Sequence, residues 1–331
     1  MSELVGAVLT RPSIDPDGAA AVLRRGWGIA GVLRPLPSER DRNFAVAVDG
    51  ADRYVLKISN AAEDGGFLDL QHRAMDRLAA AGVPCQRVVP ARGGIEVVDI
   101  GTPDAPILVR LLTWLPGRPL AAIPVANRPD ALLEDLGRVM GRTAAALQGF
   151  DHPAAHRPFQ WSAEEGLEVV ALHAPAVSDP ARAALLDRSL QRLAPLADRF
   201  AGLRHGVIHN DANDHNVLVA DDGRSISGLL DLGDAVWSVA VNELAVAAAY
   251  AALGAPEPLL AIGRVRAGFE AELALSAAES DVLLDLIALR LATSVALSAH
   301  QSRLAPDDPY LTVSEAPAWD LLARLEREPG R

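Results

Sequence analysis

The segment from His209 to Asn216 carries the residue types most able to do chemistry in this chain. Asp211 and Asn216 lie five residues apart on it, and Asp231 follows fifteen residues later in the sequence Asp-Leu-Gly. Phosphoryl transfer requires one carboxylate to meet the incoming hydroxyl, and an amide oxygen and a second carboxylate to hold Mg²⁺ on the nucleotide phosphates. Asp211, Asn216 and Asp231 have the types and order for these tasks, so the sequence predicts a phosphoryl-transfer site.

A short β-hairpin is predicted between Asn216 and Asp231. Two apolar runs, Val217–Ala220 and Ile226–Leu230, flank a polar turn that begins at Asp221. This pattern is typical of a hairpin, whose two strands run side by side. The turn therefore brings Asp231 back beside Asn216.

Lys57 is the only lysine in the chain, because the other 30 basic residues are arginines. Alternation along Tyr54–Ile58 places Val55 and Lys57 on one face of a predicted strand. A lysine among apolar neighbours needs an anionic partner, since an unpaired buried charge is costly. A compact ammonium fits between phosphates where the planar guanidinium of arginine does not. These features predict that Lys57 contacts phosphate.

Charge and composition narrow the classes of partner. The chain has 331 residues, half of them hydrophobic, and a net charge of −12, of which −11 falls after Trp114. Acidity concentrated in the second part argues against nucleic acid as a partner. It suits a cationic substrate, and a solvated acidic surface explains it equally well.

The chain is expected to lie in the reducing cytoplasm. Its single cysteine, Cys85, cannot form an internal disulfide, and its apolar surroundings predict a buried structural thiol. The N-terminus lacks the basic and then apolar pattern of a signal peptide. Charged residues border or interrupt the most apolar windows, Leu244–Leu253 and Val282–Leu297, so these are predicted to be buried helices and not membrane spans.

Apolar periodicity predicts an α+β fold with two lobes. Residues 1–114 are expected to form a small antiparallel-sheet lobe, and residues 115–331 a mainly helical lobe, with the boundary near Pro116-Gly117. The strands predicted in the first lobe are Ile29–Leu36, Phe44–Val48, Tyr54–Ile58, Gln86–Pro90, Ile95–Ile100 and Ile107–Thr113. The predicted helices are Asp17–Gly26, Gly66–Ala81, Pro129–Leu147, Ala163–Leu172, Pro180–Phe200, Val241–Leu253, Pro258–Leu273, Ala278–His300 and Ala316–Arg324.

The order of these features resembles the kinase-like fold of the aminoglycoside phosphotransferase and choline kinase superfamily. A strand-borne lysine, an acidic residue on the next helix and a Pro-Gly hinge precede His-x-Asp-x-x-x-x-Asn and Asp-x-Gly. Asn210 stands where protein kinases have arginine, so protein kinases match less well. Several segments are most similar to hydroxylysine kinases and to kinase-like domains fused to class III aminotransferases: Glu39–Phe44, Tyr54–Ser59, Leu68–Gln71, His209–Asn216, Leu230–Asp234 and Tyr310–Trp319.

The resemblance implies a nucleotide site in the first lobe. Lys57 would bind the α- and β-phosphates, with Asp69 on the following helix as its partner. The loop Pro37–Asn43 would cover the phosphates, although an ordinary polar hairpin loop explains it equally well. Its backbone amides would act together with Ser38, Arg40 and Asn43. The backbone of Leu112, Thr113 and Trp114 would contact the base, and such contacts leave both ATP and GTP open.

The resemblance also implies roles for several side chains in the segment 209–231. Asp211 would be the catalytic base that orients the acceptor hydroxyl and accepts its proton. Asn216 and Asp231 would ligate Mg²⁺ through oxygen, the ligand type that this ion prefers. His209 is expected to brace the loop by hydrogen bonding. The weaker candidates for a contact with a substrate ammonium are Asp214, Asp234 and Glu243.

The leading hypothesis is a nucleotide- and Mg²⁺-dependent kinase for a small amine-bearing alcohol, with hydroxylysine as the first choice. An aminoglycoside, homoserine, choline or ethanolamine is an alternative acceptor for the same chemistry. An amino acid would also need a carboxylate contact, for which Arg290 or Arg303 is a candidate. An inactive nucleotide-binding regulator is the alternative from another class. The presence of Lys57, Asp211 and both metal ligands argues against it.

Overall fold

The computed structural model describes residues 12–38, 41–102, 105–304 and 315–327. The chain divides into two compact units, one that ends at Pro116 and one that begins at Gly117. The predicted lobe boundary after Trp114 lies beside this division. Arg40 and Tyr310, which belong to segments singled out above, lie outside the described residues.

A five-stranded antiparallel sheet forms the first unit, with the spatial order β1-β2-β3-β5-β4. Its strands are β1 (Val32–Leu36), β2 (Arg42–Val48), β3 (Ala51–Ile58), β4 (Val98–Asp99) and β5 (Leu108–Thr113). Strands β2 and β3 join through Asp49 and Gly50, whose φ angles are 51° and 79°. Two successive positive φ angles suit a tight hairpin turn, and Asp-Gly is among the sequences that adopt them.

Helix α1 (Pro16–Trp27) covers one face of this sheet. Asp15 caps the helix by accepting the backbone N–H of Gly18 at 2.7 Å. The apolar core beneath α1 consists of Ala19, Val22, Leu23, Phe44, Val46, Leu56, Ile58, Val109 and Leu111. Since side chains alternate along a strand, the presence of Leu56 and Ile58 in this core places Lys57 on the opposite face.

The predicted strand Gln86–Pro90 is wrong, since this segment forms only an isolated bridge between Val88 and Leu112. Two backbone hydrogen bonds flank the bridge, one from Thr113 to Arg87 at 2.9 Å and one from Val89 to Leu111 at 2.8 Å. The next residue that could extend the ladder, Ala91, donates its N–H to Ile95 at 2.7 Å instead, and Val109 of β5 pairs with Val98 of β4. The segment therefore borders β5 without becoming a regular strand.

Cys85 is buried, as predicted. Its thiol donates to the carbonyl oxygen of Met75 at 3.6 Å, and burial raises the pKa of the thiol to about 11. A thiol that stays protonated at neutral pH is a poor nucleophile. Cys85 is therefore a structural residue at the end of α2 (Gly65–Ala80).

The second unit is mainly helical. Its helices are α3 (Asp130–Leu147), α4 (Ala163–His173), α5 (Pro180–Leu193), α6 (Leu196–Arg199), α7 (Asn242–Ala252), α8 (Pro258–Glu270), α9 (Ala277–Leu304) and α10 (Glu315–Leu325). The single helix predicted at Pro180–Phe200 is therefore wrong. It breaks between α5 and α6 because Pro195 cannot donate a backbone hydrogen bond.

Helix α9 is the one described helix that is long and apolar enough to cross a membrane by length and composition. Its most apolar window is 78% buried inside the fold. This burial is that of a core helix, in agreement with the buried helix predicted at Val282–Leu297.

Five short strands in the second unit position the 209–231 segment. They are β6 (Arg118–Pro119), β7 (His205–Ile208), β8 (Val217–Val219), β9 (Ile226–Leu229) and β10 (Val236–Val239). The predicted hairpin is present as the antiparallel pair β8–β9. The antiparallel pair β7–β10 was not predicted from the sequence.

Candidate active site

The two proposed metal ligands lie at neighbouring ends of the β8–β9 hairpin. Asn216 directly precedes β8, and Leu230 donates its backbone N–H to the carbonyl oxygen of Asn216 at 2.8 Å. Asp231 is the next residue and has a positive φ of 57°. Its Oδ1 accepts the N–H of Gly233 at 2.9 Å. The hairpin therefore brings Asn216 and the chain at Asp231 together, as its pattern predicts.

Hydrogen bonds hold the Asp211 carboxylate on both of its oxygens. Oδ1 accepts from Nδ2 of Asn213 at 2.9 Å, and Oδ2 accepts from Nδ2 of Asn216 at 2.6 Å. Nδ2 of Asn216 also donates to the backbone carbonyl of Asp211 at 3.0 Å. The side chain keeps 20% of its surface exposed, so an acceptor hydroxyl can reach it.

Burial and two neighbouring charges have the largest effects on the pKa of Asp211. Burial, followed by the negative charge of Asp234, raises the pKa of Asp211 well above its ordinary value. The guanidinium of Arg290 and the hydrogen bond from Asn213 oppose this rise in the pKa. Asp234 is thus a second acidic group close to the proposed base, and Arg290 is the principal neighbouring cation.

His209 braces the loop, as expected from the sequence. Its Nε2 donates to the carbonyl oxygen of Leu230 at 2.9 Å, and its Nδ1 accepts the N–H of Asp211 at 3.2 Å. Burial lowers the pKa of His209 to about 4, so the ring is neutral at neutral pH. Because both ring nitrogens bond to the backbone, this histidine ties the loop to the end of β9.

Asn210 has a left-handed backbone, with a φ of 66°. Asparagine tolerates this conformation better than most residues, and glycine tolerates it best. The side chain of Asn210 donates to the carbonyl of Trp161 at 3.2 Å and accepts from Asn242 at 3.0 Å. The left-handed turn at position 210 is therefore formed by an asparagine whose side chain is hydrogen-bonded at both its nitrogen and its oxygen.

Glu243, at the start of α7, binds the backbone of the loop that carries His209 and Asp211. It is buried, and its Oε2 accepts the backbone N–H of His209 at 2.7 Å. Burial raises the pKa of Glu243 to about 7, although hydrogen bonds from the backbone of His209 and Asn210 oppose the rise. Glu243 is thus a structural residue, which removes it from the candidates for a substrate ammonium.

Replacement of Glu243 by glutamine is expected to flatten the pH dependence of stability. A folded-state pKa raised from 4.5 to about 7 means that the folded protein binds this proton more tightly than the unfolded chain does. Wild-type stability should therefore fall as the pH rises from 4.5 to 7, by about 3 kcal/mol from this group. Glutamine is neutral throughout and should gain stability relative to wild type over this interval. Urea unfolding of both proteins at several pH values measures the difference, and equal slopes would contradict the assignment.

Asp214 is also engaged within the fold. Its carboxylate lies 3.7 Å from Nη2 of Arg128, and its carbonyl accepts the N–H of Ala121 at 2.8 Å. Arg128 donates in addition to the carbonyls of Leu120 and Ile123. Asp214 therefore ties the loop to residues 120–128, and Asp234 is the remaining candidate for a substrate ammonium.

In the first unit, Lys57 lies on β3 between two polar neighbours of the adjacent strands. It pairs in register with Asn43 on β2 and with Arg110 on β5, and it is 7% exposed. Helix α2 contributes Gln71, whose Oε1 accepts from Nη2 of Arg110 at 2.6 Å. The sheet face opposite the α1 core thus carries a buried polar group around the lysine.

Asp69 lies on the exposed side of α2. Its side chain is 52% exposed and forms an ion pair with Arg73 at 3.2 Å. Gln71 is the residue of α2 that bonds to a strand neighbour of Lys57. The pairing of Asp69 with Lys57 stays a prediction.

Asp41, which directly precedes β2, makes contacts that the sequence did not predict. Asp41 accepts both the backbone N–H and the side-chain amide of Asn60 at 3.1 Å. Ser38 accepts the N–H of Asp41 at 3.2 Å, and Asn43 lies on β2 itself. Contacts of Ser38 and Asn43 with phosphate stay predictions, as does the role of Arg40, which lies outside the described residues.

The backbone at the end of β5 already makes several bonds within its own unit. Thr113 donates its N–H to Arg87, and Trp114 donates its N–H to Arg53, both at 2.9 Å. The carbonyl of Thr113 accepts from Gln86 at 3.2 Å. A base contact at Leu112, Thr113 or Trp114 stays a prediction and would have to use other backbone groups of these residues.

The residues near Asp211 fit a divalent cation of the magnesium type. The amide nitrogen of Asn216 is committed to Asp211, which turns its oxygen toward the other side. The carboxylate of Asp231 lies at the adjoining chain position and is exposed. Within the described ranges no group of three or more His, Cys, Asp or Glu is placed to hold a metal. Two protein oxygens completed by phosphates and water are typical of Mg²⁺ sites in phosphotransferases.

An α+β kinase-like fold with a buried strand lysine, an asparagine-held aspartate and this hairpin defines a phosphotransferase. The chain belongs to the phosphotransferase enzyme family, whose model matches residues 32–278.

Curated relatives and solved structures agree with this assignment. The chain is 29% identical to the hydroxylysine kinase of Bos taurus over 344 residues, which cover 96% of this chain and 90% of that protein. The fold is that of a microcompartment-associated aminopropanol kinase, with a TM-score of 0.68 at 18% identity over 92% of this chain and 96% of that one. An amicoumacin kinase in complex with AMP-PNP and Ca²⁺ gives a TM-score of 0.64 at 18% identity, over 89% and 87% of the two chains. The protein is a small-molecule kinase that acts on a hydroxyl group.

Proposed function

We propose that this kinase transfers the γ-phosphate of ATP or GTP to the hydroxyl of hydroxylysine with the help of Mg²⁺. The observation that carries the proposal is the Asp211 carboxylate, which is held by two asparagines and still partly exposed. Relatives named hydroxylysine kinase, matched over 96% of the chain, supply the acceptor.

The proposed chemistry is one displacement at phosphorus. The acceptor oxygen forms a bond to the γ-phosphorus while the bond to the β–γ bridging oxygen breaks, and the nucleoside diphosphate leaves with that electron pair. The hydroxyl proton passes to the Asp211 carboxylate. Since the transition state is loose, Asp211 acts mainly by positioning the hydroxyl, and its own position is fixed by Asn213 and Asn216.

The other residues bind and orient. Mg²⁺, when bound, neutralises charge on the phosphates, and Asn216 and Asp231 are the residues that would hold it. Lys57 contacts the α- and β-phosphates as a point charge. Asp234, close enough to Asp211 to raise its pKa, contacts an ammonium of the acceptor. The reducing cytoplasm is the proposed location.

Nucleoside diphosphate release with Mg²⁺ tests the proposal. ATP and GTP are compared in parallel against hydroxylysine, homoserine, ethanolamine, choline and an aminoglycoside. The proposal expects turnover to be fastest with hydroxylysine and to depend on its addition. If turnover is fastest with another acceptor, that acceptor and not hydroxylysine is the preferred substrate. Nucleotide binding without turnover of any acceptor would favour a regulator.

A further inference from the structure

Arg290 is a buried cation at the centre of α9 whose side chain reaches the proposed catalytic base. Only 5% of this side chain is exposed, and its Nη2 lies 3.4 Å from Oδ1 of Asp211. Its Nη1 donates to the carbonyl of Trp161, also at 3.4 Å. Both distances exceed the usual N–H···O range of about 2.7–3.2 Å. These contacts, together with a side-chain hydrogen bond to Tyr250, place the guanidinium.

Two aromatic rings fix the orientation of this guanidinium. Its central carbon lies 4.4 Å from the ring centroid of Trp161 and 5.8 Å from that of Tyr250. The Nε of Arg290 is buried and has no hydrogen-bond partner among the residues that the structure describes. Arg290, Tyr250 and Ser294 also line a cavity of about 10 Å³, which is too small for a carboxylate, so an acceptor has to reach the guanidinium from the side of Asp211.

We propose that Arg290 binds the carboxylate of the acceptor and thereby selects an amino acid over a simple amino alcohol. This inference rests on the proposed kinase function. The two Nη groups of a guanidinium match the two oxygens of a carboxylate, and the Nη1 and Nη2 contacts of Arg290, both 3.4 Å long, are weak enough to give way to it. A hydroxy amino acid then presents its hydroxyl to Asp211, its carboxylate to Arg290 and an ammonium to Asp234.

Arg303, the other arginine of α9 considered above, lies elsewhere. It is thirteen residues further along the helix, which corresponds to about 20 Å at 1.5 Å per residue. It is exposed and donates to the carbonyl of Pro175 at 3.2 Å. Arg303 therefore serves as a matched control for Arg290 on the same helix.

A second role for Arg290 would act only through Asp211, by keeping that carboxylate charged. The two roles differ in their dependence on the acceptor. Loss of a cation that acts through Asp211 slows every acceptor equally. Loss of a carboxylate contact slows only an acceptor that has a carboxylate.

The test compares kcat/KM for hydroxylysine and for its decarboxylated analogue, which keeps the hydroxyl and both amines. Wild type is expected to prefer hydroxylysine by about 100-fold, the value of a bidentate charged contact. Arg290→Met should reduce this ratio to about 1. Arg290→Lys retains a positive charge but loses the fork, and should give a ratio of about 10. Arg303→Met should leave the ratio at about 100.

Several outcomes would overturn the inference. A wild-type ratio near 1 would do so, as would equal losses for both acceptors in Arg290→Met. If Arg290→Met fails to fold by circular dichroism, an undiminished ratio in Arg290→Lys would overturn it. Asp211-dependent turnover of both acceptors with equal kcat/KM in wild type would show that the kinase function stands while the carboxylate contact fails. Absence of turnover with both acceptors would overturn the proposed function and this inference together.

Discussion

Replacement of Asp211 by asparagine is expected to lower kcat by about 10²- to 10⁴-fold, the range that a positioned general acid or base contributes. Asparagine has nearly the same shape and still offers an oxygen to Asn213 or Asn216. It cannot accept the proton of the acceptor hydroxyl. Steady-state kinetics at saturating nucleotide and acceptor measures the loss.

A change of aspartate to asparagine at Asp221, on the same segment 209–231, is the control that separates a catalytic effect from a structural one. Asp221 is exposed on the turn of the β8–β9 hairpin, so Asp221→Asn should leave kcat unchanged. Nucleotide affinity, measured by calorimetry, should remain within a few-fold of wild type in both variants. A kcat in Asp211→Asn within about threefold of wild type would contradict the role of Asp211 as base.

Asp231→Asn is expected to lower kcat/KM by about 10²- to 10³-fold, which corresponds to roughly 3–4 kcal/mol of transition-state stabilisation. Asparagine keeps an oxygen for the N–H of Gly233 and tolerates the positive φ of 57° at this position. The substitution therefore removes one negative charge and little else. The Mg²⁺ concentration at half-maximal rate should rise at least about tenfold, because a neutral oxygen is a weaker ligand.

Asp234→Asn provides a matched comparison three residues further on. Asp234 is proposed to contact the acceptor, so its loss should raise KM for the acceptor and leave the Mg²⁺ requirement as in wild type. Titration of Mg²⁺ against rate in the three proteins distinguishes the two roles. A wild-type Mg²⁺ requirement in Asp231→Asn would remove Asp231 from the metal site.

Local patterns in the sequence predicted the parts of this site that local structure determines. The β8–β9 hairpin follows from two apolar runs around a polar turn, and it places Asn216 beside the chain at Asp231. Strand alternation correctly separated Lys57 from the core under α1. In each case the interacting residues lie within one element or one hairpin, where spacing fixes geometry.

The remaining features depend on packing between elements that are distant in sequence. Arg290 lies 79 residues from Asp211, and their approach depends on where α9 packs. A charge well inside an apolar helical window was the signal available for it, since such a charge requires a buried partner. The brace from Glu243 to His209 depends in the same way on α7. Strands β7 and β10 are separated by residues 209–235, so no hairpin turn marks them as a pair in the sequence.

Two predicted elements, the helix Pro180–Phe200 and the strand Gln86–Pro90, are wrong for reasons of backbone hydrogen bonding. Pro195 ends α5 within a run whose alanine and leucine content favours a helix. The segment beside β5 stops after a single bridge because Ala91 donates to Ile95 and β4 takes the next position on β5. In both segments the side-chain pattern suited the predicted element, and the backbone hydrogen bonds decided the outcome.

Phosphorus NMR of the product formed from hydroxylysine is the most direct test of the central claim. The proposed mechanism expects a phosphate monoester whose phosphorus couples to the proton on the hydroxyl-bearing carbon, formed together with one equivalent of nucleoside diphosphate. This signal should be absent with Asp211→Asn over the same period. Inorganic phosphate alone, or phosphorus bonded to an amine nitrogen, would contradict transfer to the hydroxyl.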